Sequence, residues 1–567
     1  MQSASTISFD IAEPADYAAA EPARAAPEVP RWRRIAGAVP LVAVLGTQAY
    51  LSGRLFHLGF ASGDEARYIY AGHQLIHEFW HGGGSPFYET YFSGAPVIFP
   101  VLAAMADHFG GYVAVRLMSL TFMLTATTSL FLTTRRLWGY WAGLTAACLF
   151  AGLGLTQDLG ALATHDAMSL MLTTLAAYFA VRTGPREKYA NLWLLSVPLT
   201  LFLANATKYA TLLFDPFVIG LAAMQMRPEG FRRVFQRLIT LGIATSLIDV
   251  VAVMLAGRAY YDGIMFSTLS RKQGSDVVFA TMLRNSSVAS ARTVVAYSWT
   301  WTGGIVVAAA LSLVLAMLSR RDRGQAPLLA LLVLGGIVVT LEGIHLHSVE
   351  SMRKHDDFGI WFTCIAAGYL PGRFVPRVAR VLPGLARRAL SALLIGAGLA
   401  GAVVLGVHYS AGAAATYEAK NRPSDLIFYA YLRPFLTLPN GRFLIGGLDN
   451  EQIIYTDHVN VPWYRLFDDT YLKYPIPGRG GDSHGERPGP VCYSLRPGCM
   501  YLEGAQAYVA AIRVHWFAVI SMVGGHQDQL DALIEKTVAK TRGYVLLTRM
   551  EGAPTWVYAP DYARTRH

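Results

Sequence analysis

The chain has 567 residues, of which 53% are hydrophobic and only 15% charged, with a mean hydropathy of +0.34. A soluble domain carries about 25% charged residues, so an ordinary soluble globular protein is excluded. The net charge of +10 invites a nucleic-acid reading. The Arg residues, however, fall in short loops between apolar runs and form no stripe on one soluble face, which excludes that reading.

In chain order, the first 30 residues are rich in Ala, Pro and Glu and show no apolar period. Such composition reads as disorder, and residues 1–35 are assigned to a cytoplasmic tail. The segment is too long and polar for a signal peptide, so the first apolar run is an uncleaved span. Apolar runs near 20 residues, such as "YWAGLTAACLFAGLGL" and "LLALLVLGGIVVTL", read as membrane-spanning helices. They fall at about 36–56, 112–134, 138–157, 165–182, 190–206, 208–226, 238–257, 297–318, 327–345, 358–372 and 389–409. The expected fold class is therefore a polytopic α-helical membrane protein of about eleven spans.

The basic clusters orient these spans. Arg31, Arg33 and Arg34, then Arg135 and Arg136, Arg182, Arg186 and Lys188, Arg227 to Arg237, Arg320 to Arg323, and Arg373 to Arg388 mark every second boundary. That is the positive-inside pattern. It puts the N-terminus in the cytoplasm and the segments 57–111, 158–164, 258–296, 346–357 and 410–567 outside. Residues 36–409 form the membrane domain, and 57–111 are its first outer loop.

The last stretch, 410–567, changes character. It carries charges and turn residues, with short runs "RFLIGG", "VHWFAVISMVGG" and "GYVLLT" that read as strands and "DQLDALIEKTVAK" that reads as an amphipathic helix. This is an extracytoplasmic α/β domain. Cys148 and Cys364 lie in spans and act there as small apolar residues. Cys492 and Cys499 lie outside, where an oxidising compartment allows a disulfide or two separate thiols.

The chemistry concentrates in "GDEARYIYAGHQLIHEFWH", residues 63–81. It opens on Asp64-Glu65 and closes on His77-Glu78-Phe79-Trp80-His81, which satisfies the H-E-x-x-H zinc-protease pattern. Acids are also favoured in the first turn of any helix by its dipole. Further on come "YFSGAPVIFP", residues 91–100, and "ALATHDAMSLM", with Asp166 at the outer end of the fourth span. Thr-His-Asp before an apolar run is equally a helix-start signal.

Taken together, Asp64-Glu65-Ala66-Arg67-Tyr68, the Tyr91, Phe92 and Pro96 segment and Asp166 resemble the GT-C superfamily of membrane glycosyltransferases. The likeness is to the branch of the protein O-mannosyltransferases and the lipid A aminoarabinose transferase. The resemblance implies a GT-C fold and transfer of a sugar, hexose or pentose, from a polyprenyl-phosphate carrier. It implies an acceptor that is an extracytoplasmic protein, cell-wall glycan or glycolipid, and an enzyme that works among the lipids of the cell membrane. It implies Asp64 as general base and Glu65 as orienting or binding the acceptor. Some relatives carry a Lys where this chain has Ser93-Gly94, so a phosphate contact must come from elsewhere.

A leaving phosphate calls for positive charge or a metal. The candidates are Arg67, Tyr68 and Tyr91 in the first outer loop, Arg271, Lys272 and Arg292 in a later one, and Lys354 and His355 in "HSVESMRKHDDFG". Glu342, with His345 and His347, is an intramembrane carboxylate and so a candidate for the same pocket. Asp166 is the candidate ligand for a divalent cation, Mg or Mn. Two other classes stay open. A zinc metalloprotease would use His77, Glu78 and His81, but Gly82-Gly83-Gly84 ends the helix there and no third ligand is supplied. A transporter or flippase would show repeated halves and broken helices, and the sequence shows neither.

Overall fold

The computed structural model describes residues 31–56, 63–81, 88, 92–269, 289–349, 352–420, 432–438, 441–446, 461, 465–467, 473–475, 501–503, 505–522, 529–550 and 553–560. Helix α1 (Arg31–Gly53) is followed by α2 (Gly63–His81), α3 (Phe99–Trp138), α4 (Tyr140–Ala151), α5 (Gly154–Ala161), α6 (His165–Val181) and α7 (Ala190–Thr207). A 3-10 turn (Tyr209–Phe214) leads into α8 (Asp215–Met224), then α9 (Phe231–Ala256), α10 (Arg258–Leu269), α11 (Ala291–Leu318), α12 (Ala326–Leu346), α13 (Met352–Val381) and α14 (Gly384–Lys420).

Among the described residues six helices are long and apolar enough to cross a membrane, in α3, α7, α9, α11, α12 and α14. A seventh follows if α4 and α5, bent by 68° to one another, count as one span. This is an integral membrane protein. The expected eleven also include runs that are shorter or more polar among the described residues, such as the apolar helices Ala38–Gly53 and Tyr209–Met224. Helix α6 has 17 residues and opens on buried His165 and Asp166. Helix α13 buries Asp356 and Asp357 beside its apolar middle.

Two local signals shape the part that matters for function. Gly110 and Gly111 break α3, with Gly111 at φ +66, which favours glycine. The break separates a short first segment, from Phe99, from the long second one. Gly72 lets α2 lie directly on that first segment, since a Cβ there would stand 1.9 Å from the Pro100 carbonyl oxygen. The main core lies between α3, α4, α6, α8 and α11 to α13. Within it Phe214 stacks on Phe358 and Phe362, and Trp361 Nε1 donates to the Ala126 carbonyl at 3.2 Å.

The C-terminal part builds a five-stranded sheet in the order β2-β1-β5-β7-β6. Strand β1 (Phe443–Ile445) pairs in parallel with β2 (Leu466–Phe467) and β5 (Val519–Ser521). Strand β7 (Ala553–Tyr558) pairs antiparallel with β5 and with β6 (Tyr544–Met550). A separate pair joins β3 (Lys473–Pro475) to β4 (Tyr501–Glu503). Helices α15 (Ala505–Arg513) and α16 (Gln529–Lys540) pack their apolar sides into a cluster with Leu444, Ile520 and Trp556 of the sheet. Cys492 and Cys499 lie outside the described residues.

Candidate active site at the start of helix α2

Asp64 and Glu65 are neighbours with opposite surroundings. Glu65 is 1% exposed. Arg116 of α3, equally buried, forks onto it: Nε donates to Oε1 at 2.9 Å and Nη2 to Oε2 at 2.8 Å. The Ala163 backbone N–H donates to Oε1 at 2.7 Å, and Arg116 Nη1 donates to the Phe56 carbonyl at 2.6 Å. Fork-to-fork pairs of this kind add geometric specificity as well as energy. One carboxylate thereby ties together the end of α1, the start of α2, α3 and the turn before α6.

The Asp64 side chain is 48% exposed, and its partner is Lys354 of α13, whose Nζ donates to Oδ2. Its surroundings work in two directions. Burial among its neighbours pushes its pKa up. The charge and hydrogen bond of Lys354, helped by Arg67, outweigh that and hold the carboxyl below its ordinary value. Asp166 stands near enough to oppose them.

A second cluster faces this one from α6 and α7. Lys208, 4% exposed, sits in the joint between α7 and the 3-10 turn. Its Nζ donates to Asp166 Oδ1 at 2.5 Å and lies 3.4 Å from His165 Nε2. Tyr68 Oη and Ser93 Oγ stand 3.3 and 3.4 Å from the same ring nitrogen. The Tyr68 ring tilts over His165 and meets Phe92 and Phe99 edge-on. The Ser93-Gly94 turn is laid on the Lys208 joint by two backbone bonds, Ala95 N–H to Ala206 O at 2.7 Å and Tyr209 N–H to Ser93 O at 2.8 Å. Gly94 permits this contact: a Cβ there would stand 1.9 Å from the Thr207 carbonyl oxygen.

The first turn of α13 closes the site. Next to Lys354, Arg353 pairs with Asp158 of α5 and donates to the Tyr409 hydroxyl of α14. Its guanidinium also lies over the Trp301 and Tyr409 rings, 5.4 and 5.6 Å from their centroids. Tyr409 in turn donates to Asp158 at 2.6 Å. His355 and Glu342 share a narrow crevice with Phe214 and Phe358.

The structure thus brings Asp64, Arg67, Tyr68, Asp166 and Lys354 to one place and sets His355 with Glu342 beside it. Arg292, His345 and His347 are exposed. Tyr91, Arg271 and Lys272 lie outside the described residues. In the H-E-x-x-H stretch, His77 is exposed and Phe79 and Trp80 are 79% and 72% exposed, while His73 bonds Asp107 at 2.8 Å. Among the described residues no three His, Cys, Asp or Glu side chains converge as a metal set. Sequence reasoning passed over Lys208 and Arg116. The signal for Lys208 was a lone cation in "LANATKYATLL", and for Arg116 a lone cation in "YVAVRLMSL".

Residues 93–256 match the family model of the dolichyl-phosphate-mannose-protein mannosyltransferases. The crystal structure of ArnT from Cupriavidus metallidurans in the apo state matches with a TM-score of 0.56 at 14% identity, over 94% of this chain and 98% of that one. The chain has a GT-C fold. The same ArnT bound to undecaprenyl phosphate gives a TM-score of 0.55 at 14% identity, over 93% of this chain and 98% of that one. The oligosaccharyltransferase AglB from Archaeoglobus fulgidus, in complex with an inhibitory peptide and a dolichol-phosphate, gives 0.47 at 13% identity, over 77% of this chain and 65% of that one. No curated protein matches the chain by sequence. The resemblance read from the sequence is therefore shown at the level of the fold, and the segment matched by the family model contains Ser93, Arg116, Asp166 and Lys208 of the site.

Proposed function

We propose that this protein is a polyprenyl-phosphate-dependent hexosyl- or pentosyltransferase that glycosylates an extracytoplasmic acceptor, a protein, cell-wall glycan or glycolipid. The observation that carries the reading is the half-exposed carboxylate of Asp64, set in a GT-C fold among Lys354, Arg67 and Lys208. A lipid-phosphate leaving group needs that cationic surround, and a hydroxyl nucleophile needs that carboxylate. The ArnT neighbour is a complex with undecaprenyl phosphate, which fits the donor class.

In the proposed reaction an acceptor hydroxyl oxygen attacks the anomeric carbon of the lipid-linked sugar. The bond from that carbon to the phosphate oxygen breaks, and the phosphate keeps the electron pair. The hydroxyl proton passes to Asp64. Lys354 and Lys208 balance the charge of the departing phosphate, Lys208 supplying the cation that Ser93-Gly94 lacks. Glu65 acts as a positioning residue, since both its oxygens are held by Arg116. Asp166 meets an ammonium, Lys208, and no metal-ligand group of three surrounds it among the described residues. Donor set and charge fit Mg or Mn poorly, and no step is assigned to a cation.

The reading carries a topology. The eleven expected spans, with the N-terminus cytoplasmic, put α2 and residues 410–567 on the outer face of the plasma membrane. The test is turnover of radiolabelled polyprenyl-phosphate sugars, with membrane extract as acceptor. Wild type and His77→Ala are expected to transfer label and Asp64→Asn to lose it. Zinc bound at one per chain and lost in His77→Ala, with no carrier consumed, would instead restore the protease.

A further inference from the structure

Helix α2 is held at two points by two different parts of the molecule. Glu65 fixes its first turn to Arg116 in the membrane part. Ile69 continues that contact, packing with Phe99, Ala103 and Val115. Tyr70 does something else. It is 7% exposed, and it joins the apolar core of the C-terminal sheet, with Phe435, Phe443, Val461, Val519 and Val557. Its hydroxyl donates to the Val461 carbonyl. No other residue of α2 belongs to that cluster among the described residues.

The geometry of a helix makes this consequential. Tyr70 lies six residues beyond Asp64 on the same uninterrupted helix. That is about 9 Å along the axis and about 120° around it. Asp64 and Tyr68 face the site, Glu65 and Ile69 face α3, and Tyr70 points into the sheet. A helix segment this short transmits displacement as a rigid body. With Glu65 fixed on Arg116, the hold at Tyr70 sets the tilt of α2 about that pivot, and with it the direction of the adjoining Asp64 carboxylate.

We infer that Tyr70 is a positioning residue through which the C-terminal sheet sets the place of Asp64, so that the outer unit tunes proton removal from the acceptor at a site about 9 Å along the helix from its own core. The inference rests on the proposed transferase reading for what Asp64 does. It does not rest on it for the coupling itself. It also gives the C-terminal unit a role at the site: a shift of the sheet on acceptor docking reaches the base, while Lys354 and Lys208 sit on α13 and at the α7 joint, outside α2, and stay in place.

Two variants of the full chain in lipid nanodiscs test this. Tyr70→Ala removes the ring from the sheet, and Tyr70→Phe keeps the ring and loses the hydroxyl. A 1 Å misplacement of a catalytic group lowers turnover on the order of 100-fold. Tyr70→Ala is therefore expected to lower kcat for transfer from radiolabelled polyprenyl-phosphate sugars by that order. Its binding of undecaprenyl phosphate should stay within about twofold of wild type, because Lys354 and Lys208 lie outside α2 and Arg67 lies in the turn that Glu65 anchors. Tyr70→Phe is expected to recover most of the rate, since one hydrogen bond contributes about 1 kcal/mol, roughly fivefold. Hydrogen exchange supplies a readout that needs no turnover: in Tyr70→Ala, residues 63–72 and strands β1 and β5 should exchange faster together, while the span that follows Arg116 stays protected. Unchanged turnover in Tyr70→Ala, or unchanged exchange on α2, overturns the coupling. So does parallel loss of undecaprenyl-phosphate binding, which would make Tyr70 a general fold residue. Asp64→Asn with undiminished transfer would sink the base assignment instead, and the exchange result would still stand.

Discussion

Breaking the Glu65–Arg116 pair separates a positioning role from a substrate-binding role. Both side chains are about 1% exposed, and Arg116 donates two hydrogen bonds to Glu65 beside the one from the Ala163 N–H. Removing one partner of such a pair strands a buried charge, at about 3–5 kcal/mol. Arg116→Gln leaves the Glu65 carboxylate with the Ala163 N–H, and Glu65→Gln leaves the guanidinium with the Phe56 carbonyl. In Glu65→Gln/Arg116→Gln no charge is buried, and the two amides can still serve Ala163, Phe56 and each other. The double variant should therefore be more stable than either single one, with a coupling of about 2 kcal/mol or more, against the roughly 0.5 kcal/mol within which independent sites add. The assay is unfolding in mixed micelles followed by tryptophan fluorescence, with sugar transfer measured on the same samples. Additive stabilities would refute the argument. So would a Glu65→Gln variant of wild-type stability with lost transfer, because that result means the carboxylate touches the acceptor.

Further outcomes follow from the same geometry. Gly94→Ala should shift the Ser93 turn off the Lys208 joint, because its Cβ would stand 1.9 Å from the Thr207 oxygen. Transfer is expected to fall on the order of 100-fold while the elution profile on size exclusion is unchanged. The acid limb of kcat/KM should lie below the ordinary carboxylate range, because Lys354 and Arg67 hold the Asp64 pKa down. In Lys354→Gln burial is left to dominate, and the limb should move to higher pH; a limb that stays put means another group is the base. The sign for stability is the same: a lowered folded-state pKa gives a contribution present above the unfolded value and lost as pH falls through the folded one. Lys208→Met should weaken undecaprenyl-phosphate binding by more than tenfold if its ammonium, about 4 kcal/mol from a charge 4 Å away at intermediate dielectric, faces the donor; unchanged binding would confine Lys208 to holding Asp166.

The sequence was most informative where a property repeats along the chain. Apolar runs foretold the helices of the membrane part, because a span must be apolar over its whole length. The acid pair at Asp64-Glu65 was visible as a local anomaly. What could not be read was which acid does what. Glu65 and Asp64 are adjacent in sequence, and only the partners 51 residues away at Arg116 and 290 residues away at Lys354 separate them. Lys208 escaped notice for the same reason: its partner Asp166 lies 42 residues away, across α6 and α7. His77 to His81 show the converse limit of a short pattern. The spacing puts two imidazoles on one helical face, but spacing says nothing of whether a third ligand arrives, and His73 turns to Asp107.

Burial then assigns roles among pairs of like chemistry. Glu65–Arg116, Asp166–Lys208 and Asp64–Lys354 are each a carboxylate with a cation from another helix. The first two are at most 4% exposed on either side, and the third is 48% and 33% exposed. A buried pair resists exchange, since parting it leaves a charge without water, whereas an exposed pair is worth about 0–1 kcal/mol and is readily traded. Asp64–Lys354 is therefore the pair that opens for a competing anion, while Lys208 acts on that anion from its place beside Asp166. A lipid phosphate arriving beside Lys354 draws the ammonium toward itself and leaves Asp64 with less to hold its proton affinity down. The two buried pairs meanwhile hold the first turn of α2 on α3, and α6 on the α7 joint. On the proposed reading, Asp64 becomes a better base at the moment the leaving group acquires its cation, and both changes come from the movement of one side chain.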